Sequence, residues 1–148
     1  MSAIPAELNV TDRRQFSLVD YRHGHTCAVI RGFPELDDDT PGGSPVRVLD
    51  LFFAGVERIS CWKDMGPIHV RRADDRERAD LEHRIGEIGP SGDVFLLEPG
   101  SVESYVIAMR LYWAEFDLPY GAVSPLASGD PEYRLSHPAV DGVIKQSD

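Results

Sequence analysis

Along Val46 to Cys61 the chain reads Val-Arg-Val-Leu-Asp-Leu-Phe-Phe-Ala-Gly-Val-Glu-Arg-Ile-Ser-Cys. β-Branched and aromatic residues dominate, and the apolar spacing is too irregular for a helix. Strict alternation puts Arg47, Leu49, Leu51 and Phe53 on one side and Val46, Val48, Asp50 and Phe52 on the other. Both sides therefore carry apolar residues, which predicts a strand in the interior of a sheet. Ala54-Gly55 marks a bend, after which Val56 to Trp62 either doubles back as a partner strand or continues past a bulge.

The same reading extends in both directions. Residues 1–13 show no period and predict a loosely held arm, with structure starting near Gln15. Phe16, Leu18, Val19 and Tyr21 make a strand, Gly24 supplies a turn, and Thr26 to Arg31 returns, which is a β-hairpin pattern. Residues 33–45 hold Pro34, Pro41, Pro45, Gly42 and Gly43 and predict a loop. Met65-Gly66-Pro67 reads as a turn, and Ile68, Val70 and Arg72 alternate with His69 and Arg71 as a short strand.

Residues 73–85 form the one helix pattern. Asp74 or Asp75 suits the cap, Asp74 with Arg78 and Asp80 with Arg84 are spaced i,i+4, and Leu81, Ile85 and Ile88 give a narrow inward stripe. Gly86 or Gly89 ends it, and Pro90 prevents resumption. Val94 to Leu97 reads as a strand, and Val102 to Phe116 as a second long one, the density of Val, Ile, Tyr and Trp outweighing the helix formers Ala108 to Leu111. Beyond Asp117 the prolines at 119, 125, 131 and 138 predict an irregular tail. The expected fold is α+β in a single domain over residues 1–148: a mainly antiparallel sheet, one surface-packed helix at about 74–86, a compact core at about 15–117, and a Pro/Gly-rich tail over 118–148.

Composition narrows the classes of function. The chain of 148 residues suffices for one core without metal or disulfide staples. Its formal charge of -10 opposes contact with nucleic-acid phosphates or an anionic membrane and favours a basic protein partner. There is no leader pattern and no long apolar run, so a cytoplasmic setting is expected, with Cys27 and Cys61 as unpaired thiols.

Candidate chemistry is sparse. Glu35, Asp37, Asp38 and Asp39 lie in the 33–45 loop with no basic residue beside them, and are the candidate partner-binding residues. They lack the spacing and closing Glu of a calcium loop, and a solvated loop is the plain alternative. His23, His25 and Cys27 share a face if the strand is continuous, as a metal site requires, but Gly24 in a turn separates them; no metal or other cofactor is assigned. Glu98 and Glu103 flank a turn, and Trp62, Tyr105, Tyr112, Trp113 and Phe116 could line a pocket or pack the core. No nucleophile elbow, phosphate loop or zinc-protease helix is present, and no catalytic residue is assigned.

The hairpin around Tyr21 to Gly32, the run Leu49-Asp50-Leu51-Phe52-Phe53-Ala54-Gly55-Val56, one helix and a final aromatic strand resemble, over residues 15–116, the layout of small acidic immunity proteins of bacterial polymorphic toxin systems. The resemblance implies a cytosolic protein that binds and blocks a cognate toxin, and it offers no motif from which contact residues carry over. The tail after Asp117 departs from it. The expected function is a non-catalytic binder that neutralises a basic protein. The alternatives are a small-molecule or metal-dependent enzyme domain with its site among the aromatic strands, and a structural subunit of a larger assembly.

Overall fold

The computed structural model describes residues 3–22, 24, 26–36, 41–98 and 104–147. In chain order these form β1 (Ile4–Ala6), β2 (Asn9–Arg22), β3 (Cys27–Phe33), β4 (Val46–Ala54), β5 (Arg58–Ser60), β6 (Asp64–Arg72), α1 (Asp75–Ile85), β7 (Asp93–Leu96), β8 (Tyr105–Ala108), β9 (Arg110–Leu118), α2 (Pro131–Ser136) and β10 (Lys145–Ser147). The strands hydrogen-bond in the order β1-β10-β9-β4-β3-β2-β6-β7-β8-β5. All pairings are antiparallel except β1 with β10.

β8 and β9 are successive segments of one strand bent at Met109, whose N–H is shared between the carbonyls of Ala54 and Gly55 at 3.0 and 3.2 Å. The series β9-β4-β3-β2-β6-β7-β8 therefore returns to the strand it started from and closes into a barrel. Gly55, at φ +66°, lets the chain continue past β4 into β5, which stays beside the same bent strand: Glu57 N–H reaches Ile107 O at 2.8 Å, and Arg58 lies opposite Ile107. Of the two readings of Val56 to Trp62, continuation past a bulge is the one found.

β4 separates two cores, as its two apolar faces require. Leu49, Leu51 and Phe53 point into the barrel with Phe16, Ile30, Val70 and Phe95, and Phe53 meets Phe95 edge-on at 5.7 Å between ring centres. Val48 on the opposite face packs with Phe116, Leu118 and Leu126 beneath Ala122, Ala139 and Ile144. A third cluster sets Leu81 of α1 on Val94, Tyr105 and Ile107. The helix lies on the barrel surface with Leu81 as its buried residue, as its narrow stripe predicts.

The fold departs from expectation at both ends of the chain. Residues 4–13 are not a loose arm: they contain β1 and the start of β2, where Val10 pairs with Val70 and Asp12 with Ile68. The alternation is hidden because Asp12 and Arg14 occupy alternate positions in register with Val10 and Phe16 and form ion pairs there, Arg14 with both Asp12 and Glu115. Nor is the region beyond Asp117 irregular throughout. It contributes α2 and β10, and it supplies the cover of the second core. β10 sits between β9 and β1, and Ser147 Oγ accepts the buried Leu111 N–H at 3.0 Å. Two smaller corrections concern turns. Met65-Gly66-Pro67 lies within β6, with Gly66 at φ +69° where the β2–β6 register shifts. The long final strand is broken at Met109 and runs on to Leu118.

Candidate binding pocket between the helix and the closing strands

α1 starts where Asp74 accepts Glu77 N–H at 2.8 Å and the Glu77 carboxylate accepts Asp74 N–H at 3.1 Å, a reciprocal capping box. It stops at Gly86, whose φ of +103° a side chain would resist. Arg78 ties the helix to the following loop by donating to the carbonyls of Gly89 and Gly92 at 2.9 and 2.5 Å, and it pairs with Glu82 at 3.3 Å rather than with Asp74. These bonds hold the helix over β7 and β8 with a cavity of about 230 Å³ between them. Leu81, Val94, Leu96 and Tyr105 make its apolar walls, while Glu77, Asp80 and Glu98 bring carboxylates and Arg84 brings the one cation.

Arg71, on β6, fixes two of those carboxylates. Its guanidinium donates to Glu77 at 2.7 Å through two nitrogens and to Glu98 at 2.7 and 3.0 Å. The Arg71 bonds and then the Asp74 N–H hold the Glu77 carboxyl down to about 2, and Arg71 itself is raised by Glu77 and then Glu98. His69 completes the cluster, with Nδ1 at 3.4 Å from Glu98 and Nε2 at 2.6 Å from Asn9 Oδ1. Glu98 is held in the left-handed region at φ +40°, a conformation disfavoured for a residue with a Cβ. On the opposite wall Arg58 donates to the Tyr105 hydroxyl at 3.0 Å, and Ser104 is buried at the pocket's edge. The result is a slot with apolar sides and a lip of three carboxylates, two of them held by Arg71.

The residues singled out in the sequence are distributed differently. Glu35 is exposed just beyond β3, and Asp37, Asp38 and Asp39 lie outside the described residues. His23 and His25 also lie outside them, while Cys27 is buried opposite Ala54 with its thiol pushed up by burial. Cys27 and Cys61 are both free thiols. Among the described residues no three His, Cys, Asp or Glu side chains converge as metal ligands would. Glu103 is outside the described residues, and Glu98 pairs with Arg71 beside His69. Of the aromatic candidates Tyr105, Trp113 and Phe116 are buried in the three cores, whereas Trp62 is 73% exposed. Sequence reading missed the pocket, although its signal was present: Glu77, Asp80, Leu81 and Arg84 fall on one helical face.

Among the described residues no helix is long and apolar enough to cross a membrane. A scan against protein-family models finds no match to this chain, and searches of curated proteins and of solved structures find none either.

Proposed function

We propose that this chain is a non-catalytic binding protein that holds a basic protein partner, with a lysine or arginine of that partner seated in the slot between α1 and the β7–β8 edge. The observation that carries this reading is the chemistry of the lip: Glu77, Asp80 and Glu98 stand with Arg84 around walls of Leu81, Val94 and Leu96, and Arg71 holds Glu77 and Glu98 in place. Arg14, Arg22, Arg31 and Arg47 each pair with a carboxylate away from the slot, and the chain as a whole carries a net charge of -10. In sequence the run Glu35, Asp37, Asp38 and Asp39 adds four acidic residues to the chain's balance, of which Glu35 is exposed.

Such a surface suits the cationic, phosphate-binding cleft of a nuclease toxin, the kind of target blocked by the immunity proteins whose layout the chain resembles. The test is co-expression with the product of each neighbouring reading frame, followed by calorimetry of any complex at low and high salt. A basic partner is expected whose affinity falls about tenfold both on raising salt and in the Asp80→Asn/Glu98→Gln double variant. A complex indifferent to both, or formed with an acidic protein, removes the proposal.

A further inference from the structure

Residues 119–144 roof the outer face of β4 and β9, and between roof and sheet lies a second cavity of about 230 Å³. Its floor is Phe116 and Leu126, both buried, and its sides are Pro125, Pro138, Ala139 and Ile144. The polar side chains lining it are Arg134 and His137. No carboxylate lines it, in a chain with 25 acidic residues against 15 lysines and arginines.

The lip is built rather than incidental. The His137 ring stacks on Tyr133 at 4.3 Å and its Nδ1 lies 3.0 Å from Tyr133 O, while the Tyr133 hydroxyl donates to Val123 O at 2.6 Å. Asp130, the nearest acid preceding α2, spends its carboxylate on Glu132 N–H at the start of that helix. Arg134 makes no ion pair among the described residues. An apolar box with an uncommitted guanidinium at its mouth fits a molecule with one negative end and a compact apolar body.

We infer that this cavity binds a small monocarboxylate whose body is a single ring or a short branched chain, the carboxylate meeting Arg134 and the body resting on Phe116 and Leu126. The site is separate in place and opposite in charge from the slot beside α1.

Amide NMR titration of the full chain with benzoate and with the isosteric neutral benzamide tests this. Benzoate is expected to saturate with shifts centred on residues 116, 125–126 and 134–144, and benzamide to bind about tenfold more weakly. Arg134→Gln, an exposed change that should leave the unfolding midpoint in place, is expected to weaken benzoate about tenfold and benzamide hardly at all. Equal binding of the two probes, an unaffected Arg134→Gln variant, shifts centred elsewhere, or no saturable binding overturns the inference. So does concentration-dependent dimerisation that occupies these residues and leaves no response to benzoate.

Discussion

The Arg31 guanidinium and the Asp50 carboxylate meet two-to-two across β3 and β4, Nε to Oδ1 at 2.6 Å and Nη2 to Oδ2 at 2.9 Å, with both side chains buried. The third nitrogen, Nη1, donates to Ala122 O at 2.7 Å, so the pair also pins the segment that covers the outer face. A charge taken out of water is tolerated only while its partner is in place. Removing one side, by Arg31→Met or Asp50→Asn, is expected to cost about 3–5 kcal/mol in urea unfolding. The joint replacement Arg31→Met/Asp50→Leu should recover most of that loss, because no charge then remains buried. A double variant as unstable as the worse single one would contradict this account.

Phe16 and Gly32 are opposite one another on β2 and β3, and a Cβ built on Gly32 would lie 2.5 Å from the Phe16 ring. The ring occupies the space a side chain would need, so Gly32 is required by close approach rather than by its torsion angles. Gly32→Ala is expected to destabilise by about 1–3 kcal/mol through overpacking. In a Phe16→Leu background the same change should cost at least about 1 kcal/mol less, a coupling that a thermodynamic cycle measures directly. Additive effects would place the clash elsewhere.

Glu77 gives stability a defined pH dependence. Its folded-state value of about 2 lies below the ordinary 4.5, so the Arg71 contact contributes fully above about pH 4.5 and is lost as pH falls towards 2. With the side chain 33% exposed, solvent screening leaves a contribution of about 1 kcal/mol. Glu77→Gln keeps an acceptor for the capping box and removes the charge. The wild type is therefore expected to exceed this variant by about 1 kcal/mol at neutral pH, with the gap closing in acid. A gap that stays constant through that range would show that the charge on Glu77 contributes nothing.

What was legible in the sequence follows from where each side chain points. β4, β3 and α1 could be read because their buried positions are apolar and their caps are local: Leu51 and Phe53 alternate visibly, and Asp74 and Gly86 bracket the helix. The start of β2 could not, because polar residues such as Asp12 and Arg14 stand where an apolar alternation would have continued, and Glu115, which pairs with Arg14, is about a hundred residues away. The role of residues beyond Asp117 was hidden for a related reason. Val48 and Phe52 announce that something must cover the outer face of β4, but nothing local says that Leu126, Ala139 and Ile144 are the cover. The slot beside α1 was half legible, since one helical face carries Glu77, Asp80 and Arg84 while its opposite wall arrives from β7 and β8.

Closure of the sheet through the bend at Met109 also governs how copies of this protein treat one another. Among the described residues the strands that end the hydrogen-bonded order are β1 and β5, each three residues long. A neighbouring molecule seeking to add its own backbone finds templates too short to register a stable cross-β pairing. The most apolar strands, β3 and β4, are already paired on both flanks, so their backbones offer a second copy nothing to extend.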